Sequence, residues 1–285
     1  MTDASLTVAL VTEVFVGPDG PDRLAERLAE ARRRGADLAI LPELPLDPWS
    51  PALREPNHDD AEDPQGPRHQ AQAAAARDAG IAVLGGAIVR DPATGKRHNT
   101  ALLFNAGGAL LGAYRKVHLP FEEGFWEAAH YEPGAEPPGV VHGLALPLGI
   151  QICSDANRPG GCQLLAAQGT AVIVVPRATP APTWPRWRLV LRADAITAAA
   201  WLVTVNRPAT GATEVEIGGP SAVIAPDGEV VLESTDALAV ATLDADAVVR
   251  ARRGYPGYLS FRPAVYAEGW RRLAGPAEPT PEPGA

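Results

Sequence analysis

Ala36-Asp37-Leu38-Ala39-Ile40-Leu41-Pro42-Glu43 is a short aliphatic run that ends on a proline and a carboxylate. The chain enters it through Gly35 from an Ala- and Arg-rich stretch, Arg23 to Arg34. A helix that closes on glycine and hands over to a buried strand reads this way, because glycine adopts the left-handed cap without a side-chain penalty. The pattern recurs from Ala71 to Ala79, through Gly80, into Ile81-Ala82-Val83-Leu84-Gly85-Gly86. It recurs again in Leu164-Leu165-Ala166-Ala167-Gln168-Gly169-Thr170-Ala171-Val172-Ile173-Val174-Val175-Pro176-Arg177. Gly35 and Gly169 precede Glu43 and Arg177 by the same 8 residues. These units predict an α/β fold, and the near-repeat fits a duplicated layer, although Ala-Gly-Ala-Val strings are common in any Ala-rich α/β chain.

Between the units lie two hairpins with turn chemistry inside an apolar pair: Leu102 to Leu111 around Asn105-Ala106-Gly107-Gly108, and Ala222 to Val231 around Pro226-Asp227-Gly228. Antiparallel pairs mixed with helix-to-strand units point to sheets covered by helices on one side and packed on another sheet. No Gly-x-Gly-x-x-Gly or phosphate loop follows a strand, so no nucleotide cofactor is expected. The Pro- and acid-rich segment from Asp47 to His69 reads as an irregular surface excursion beside the strand that ends at Glu43.

The chain has 285 residues, 46% of them hydrophobic, enough for one large domain or two small ones around a substantial core. A net charge of -9 with no basic run opposes nucleic-acid binding. No stretch approaches the roughly 18 apolar residues of a membrane span, and Met1-Thr2-Asp3-Ala4-Ser5 carries an acid where a secretion signal would be positive. A cytoplasmic protein is the expectation. Cys153 and Cys162 are the two cysteines, spaced for neither a redox pair nor a zinc set, and the 6 histidines are scattered, so no metal is expected. The domain is expected to run over residues 1–274, followed at 275–285 by a Pro- and Glu-rich tail too polar to offset its ordering entropy.

Three positions invite chemistry. Glu43 stands at a strand end among apolar neighbours, where a carboxylate suits a general base; alone it reads equally as a Glu paired with an arginine. Lys116, in Tyr114-Arg115-Lys116-Val117-His118-Leu119-Pro120, ends a hairpin strand and offers fixed positive charge for an oxyanion, or is simply a surface lysine. Cys153 ends the run Leu148-Gly149-Ile150-Gln151-Ile152 and opens the polar Ser154-Asp155-Ala156-Asn157-Arg158. A thiol at such a junction meets backbone N–H groups and becomes a nucleophile; the plainer fate is a core cysteine, which suits Cys162 better.

Taken together, Leu41-Pro42-Glu43, the Tyr114–Pro120 string and Gly149-Ile150-Gln151-Ile152-Cys153-Ser154-Asp155 resemble the three motifs of the nitrilase, or carbon–nitrogen hydrolase, superfamily. His98-Asn99-Thr100-Ala101, Glu127 with Tyr131-Glu132-Pro133-Gly134, Val205-Asn206-Arg207 and Gly218-Gly219-Pro220-Ser221 add to the resemblance, which covers nearly the whole chain. It implies a four-layer α-β-β-α sandwich with Glu43 as base, Lys116 as oxyanion stabiliser, Cys153 as nucleophile and Glu127 holding Lys116. It implies no cofactor, and association into a homodimer or larger homo-oligomer. The substrate expected is a small amide, N-carbamoyl or nitrile compound.

Two departures from the family pattern stand out. Asn157-Arg158-Pro159-Gly160 replaces the usual Phe-Pro-Glu after the cysteine turn, and Thr197-Ala198 replaces a Glu-Asn pair before the strand at Trp201. The residues expected around the substrate are Ser154 through its backbone N–H, Asn157, Arg158, Arg177, Trp126, His130 and Trp184, a set whose arginines suit a carboxylate-bearing substrate. Competing readings are a true nitrilase, acyl transfer to an amine, and an inactive scaffold that keeps the sandwich.

Overall fold

The computed structural model describes residues 4–209 and 215–273. The Pro- and Glu-rich tail expected at 275–285 lies outside them. Two six-stranded mixed sheets stack face to face. The first runs in the order β12 (Leu238–Asp244), β1 (Ser5–Val11), β2 (Leu38–Ile40), β3 (Ala82–Arg90), β4 (Arg97–Phe104) and β5 (Leu110–Arg115). The second runs β11 (Val230–Ser234), β10 (Ser221–Ile224), β9 (Trp201–Asn206), β8 (Val172–Arg177), β7 (Leu148–Ile150) and β6 (Val140–Val141).

Read from β12 and from β6, the sheets share one sequence of pairings: antiparallel, parallel, parallel, antiparallel, antiparallel. In each, the middle parallel strand follows a helix: α1 (Gly20–Arg33) leads to β2 and α4 (Gly160–Ala167) to β8. The duplication read from Gly35 and Gly169 is therefore a duplication of sheet topology, and it gives Glu43 and Arg177 equivalent places beyond β2 and at the end of β8.

Alternation along the strands decides the layers. Leu38 and Ile40 point between the sheets, into a core with Leu148, Ile150, Val174 and Val203. Ala39 and Leu41 point the other way, onto Leu24, Leu28 and Ala76 of α1 and α2 (Pro67–Ala79). On the opposite face α4 packs on α5 (Trp184–Ala198), whose Leu191 and Ala195 reach the inter-sheet core cluster. The result is the α-β-β-α sandwich, completed by α3 (Glu127–His130), α6 (Ala245–Arg253) and α7 (Pro263–Leu273). Gly80 caps α2 at φ 63°, in the left-handed conformation its place in the sequence predicts.

The excursion after β2 differs from a solvated loop. Asp47, Asp60 and Glu62 are buried because cations meet them: Arg68, at the start of α2, lies 2.7 Å from Asp47, and Arg97, from β4, lies 3.0 Å from Asp60. Glu62 also accepts from the backbone N–H groups of Arg68 and His69 at the start of α2. Composition alone marks these acids as solvated, whereas partners distant in sequence allow them inside.

Candidate active site

The site forms where the carboxyl ends of β2, β7 and β8 meet the β4–β5 hairpin. Strand pairing brings Asn99 and Lys116 opposite each other, the Lys116 backbone N–H donating to Asn99 O at 2.9 Å. Lys116 Nζ then lies 2.8 Å from Glu43 Oε1 and 2.5 Å from Glu127 Oε1. Asn99 Nδ2 donates to the same two carboxylates, at 2.8 Å to Glu43 and 3.2 Å to Glu127. Glu43, Lys116 and Glu127 are no more than 2% exposed. The surface-lysine reading of Lys116 is excluded by that burial.

Two carboxylates thus share one ammonium, with a neutral amide as the further donor. Burial disfavours the Lys116 charge, but Glu127 and Glu43 outweigh it and hold its pKa well above the ordinary value. Glu127 is pushed upward, by burial first and by the Glu43 charge, with Lys116 opposing.

Cys153 follows β7 in a single 3-10 turn, Cys153–Asn157, and its own backbone is left-handed at φ 46°. A non-glycine residue there carries strain and presents its side chain sharply out of the strand direction. The Ala178 backbone N–H donates to the sulfur. Burial, then the Glu43 charge, push the thiol above its ordinary value while Lys116 pulls it down, so the resting group is the thiol. Cys162 is wholly buried in α4 beside Asp194, as a core cysteine would be.

Asp155 ties this turn to the Lys116 segment. It is fully buried and accepts five hydrogen bonds: from Tyr114 Oη at 3.0 Å, Val117 N at 3.2 Å, His118 N at 2.8 Å, His118 Nδ1 at 2.8 Å and Ile152 N at 3.2 Å. The Ser154 hydroxyl donates to His118 O, a further tie between the two segments.

The remaining expected residues divide. Arg177 is buried beneath the Cys153 turn, its guanidinium 4.7 Å from the Trp184 ring and 5.9 Å from the Trp187 ring. Its nitrogens donate to Thr204 Oγ1 at 2.9 Å, to Thr179 Oγ1 and to Pro220 O, and burial lowers its pKa to about 10. Trp184 donates to Glu233 at 3.0 Å. His130 has both ring nitrogens on the 53–57 segment, Nε2 at 2.8 Å from Leu53 O and Nδ1 accepting from Asn57 N at 3.4 Å. Trp126 packs on Phe121 at 5.1 Å with Arg54 5.3 Å from its ring. Asn157 and Arg158 are exposed.

Asn99 and Asp155 tie these residues to one another, yet sequence reasoning assigns them no role. The available signal is polar residues inside fully buried runs, such as Asn99 in Arg97–Phe104. Among the described residues no group of three or more His, Cys, Asp or Glu side chains is placed to hold a metal ion. No helix among them is long and apolar enough to cross a membrane.

A carbon-nitrogen hydrolase family model matches residues 19–253, so the chain belongs to that family and is a carbon–nitrogen hydrolase. Human omega-amidase NIT2 is 27% identical over 275 residues, covering 94% of this chain and 98% of the relative. The potato (Solanum tuberosum) N-carbamoylputrescine amidase is 29% identical over 193 residues, 62% of this chain and 64% of the relative. The crystal structure of Saccharomyces cerevisiae Nit3, of branch 10 of the nitrilase superfamily, superimposes with a TM-score of 0.76 at 26% identity, covering 89% of this chain and 95% of that one.

Proposed function

We propose that the protein hydrolyses the carbon–nitrogen bond of a small linear amide or N-carbamoyl compound through a thioester on Cys153, releasing ammonia or an amine. The observation that carries this reading is the buried Lys116 ammonium clamped by Glu43 and Glu127 at 2.8 and 2.5 Å, beside a cysteine on a left-handed turn. The amidase names of relatives such as omega-amidase NIT2 and N-carbamoylputrescine amidase favour an amide over a nitrile.

Glu43 takes the thiol proton as the sulfur attacks the carbonyl carbon, and Lys116 with the Ser154 backbone N–H holds the oxyanion. The intermediate collapses, the carbon–nitrogen bond breaks, and the nitrogen leaves with the proton held by Glu43. Glu43 then removes a proton from water, which attacks the thioester; the acid leaves and the thiol recovers its proton. Glu127 holds Lys116 in place throughout. No step draws on a cofactor.

Arg158 supports a carboxylate-bearing substrate: it is exposed and its side chain makes no hydrogen bond or ion pair among the described residues. Arg177, with all three nitrogens engaged, serves instead to shape the floor beneath Cys153. Two free cysteines, one of them the proposed catalytic thiol, suit a reducing compartment, the cytoplasm.

Association into a homodimer or larger oligomer is supported by residues 255–273. Tyr255, Tyr258, Val265, Tyr266, Trp270 and Leu273 are each at least 60% exposed, and no residue of α7 is buried. So much apolar surface on one segment favours association through it.

The test is ammonia release from matched small amides, N-carbamoyl amino acids and nitriles, comparing the protein with Cys153→Ala and following intact mass. Cys153-dependent release with an acyl adduct is expected from amides or N-carbamoyl compounds. Release from nitriles alone makes it a nitrilase, hydroxylamine capture outrunning hydrolysis makes it a transferase, and no release with no adduct overturns the enzymatic reading.

A further inference from the structure

Arg207 follows β9 in the second sheet and is only 3% exposed. A buried guanidinium ordinarily has a carboxylate partner, because removing the charge from water costs several kcal/mol. Among the described residues this one hydrogen-bonds to none. Nη1 donates to Glu43 O at 3.1 Å and Leu44 O at 2.7 Å, and Nη2 donates to Asp47 O at 3.1 Å. Its Cζ lies 5.6 Å from the Trp49 ring, and its Nε is buried without a partner. Every donor it uses goes to one backbone segment that follows β2 of the opposite sheet.

That segment needs such a donor. Beyond β2 the chain leaves the ladder, and Leu44 takes φ 50°, a conformation rare for a branched side chain. The carbonyls of Glu43, Leu44 and Asp47 consequently turn away from any strand, and a buried carbonyl without a donor is costly. Pro45 O has its own partner in Phe15 N, at 2.7 Å. The carbonyls of Glu43, Leu44 and Asp47 converge on Arg207, with Leu44 O also accepting from Asp47 N at 3.2 Å.

We propose that Arg207 is a positioning residue, which sets the place of the Glu43 carboxylate by gripping its backbone from the second sheet. The proposal rests on the reading of Glu43 as general base. The Glu43 side chain branches from the carbon next to a carbonyl that Arg207 holds, while its far end is fixed by Lys116 and Asn99. Release of the grip lets the carboxylate drift from the thiol, and an offset of about 1 Å costs on the order of 100-fold in rate. The groups facing Glu43 are Lys116, Glu127, Cys153 and Arg207, and those facing Arg207 are Glu43, Asp47 and Tyr131.

The experiment starts from wild-type turnover of an amide that needs Cys153. Absence of that turnover defeats the underlying reading and leaves Arg207 out of the matter. With it in hand, Arg207→Gln and Arg207→Lys are compared for kcat, KM and the fraction of Cys153 alkylated by iodoacetamide. Per alkylatable site, kcat should fall about 10- to 100-fold in Arg207→Gln with KM changed far less. Arg207→Lys, which keeps the charge and a donor, should lose less and stands in if the Gln variant fails to fold. A lower melting temperature with kcat per site at the wild-type value in both variants would overturn the proposal.

Discussion

Asp155 and His118 are joined twice through a single oxygen: Oδ1 of Asp155 accepts the backbone N–H and the ring Nδ1 of His118, each at 2.8 Å. The relationship fastens the segment after Lys116 to the turn after Cys153, so the ammonium and the sulfur move as one body.

Replacing Asp155 by Ala should therefore cost more than a surface change. Tyr114, Val117 and Ile152 each lose an acceptor inside the protein, at about 1–3 kcal/mol per group left unpaired. Calorimetry should show a melting temperature lowered by at least several degrees, at about 2–4 °C per kcal/mol, and Asp155→Asn, which keeps the shape, should lose less.

Asn99 feeds both carboxylates. Asn99→Ala should lower kcat about 10- to 100-fold, as expected for a lost hydrogen bond to a charged group, with little change in melting temperature relative to Asp155→Ala. Steady-state kinetics on an amide whose turnover needs Cys153 measures it.

Stability should fall as pH rises from about 4 to about 7. Burial raises Asp194 from 3.8 to about 7, and burial with the Asp60 and Glu62 charges does the same for Asp47 against Arg68. In the folded protein both groups hold a proton that the unfolded chain has already released, so their stabilisation is complete below pH 4 and lost through pH 7. Asp194→Asn keeps an acceptor for Cys162 and does not ionise. Its stability relative to wild type should therefore climb between pH 4 and pH 7, by up to about 1.4 kcal/mol for each pH unit crossed. Denaturant titrations at several pH values measure the difference, and one that stays flat across that range would contradict the assignment.

Ending the chain after Arg253 removes the exposed apolar segment. In sedimentation, the full-length protein should run as a dimer or larger species and the shortened one as a monomer. Equal assemblies from both would show that residues 255–273 do not carry the association.

Much of this site can be read from local strings because three of its members sit where strands end. Pro42-Glu43, Arg115-Lys116 and Ile152-Cys153 each mark the transition from an aliphatic run to polar chemistry, and the sheets bring such ends together. Asn99 and Arg207 are visible only as parts of motifs, since their roles depend on contacts across strands and across sheets. Asp47 and Asp60 read as solvated for the same reason: Arg68 and Arg97, which make their burial tolerable, belong to other elements. Around the substrate, residue type is a weak guide, as Arg177 and Trp184 prefer each other while Asn157 and Arg158 stay exposed.

Strand β1 pairs with β12 along its whole length, Ser5 opposite Asp244 and Val11 opposite Leu238. A ribosome must therefore synthesise the chain as far as Asp244 before β1 can gain its second neighbour. Until then β1 has only β2 beside it, and its apolar border stays open to other nascent chains. Closure beside β1 thus waits on a contact between the two ends of the domain, the long-range kind that is slowest to form.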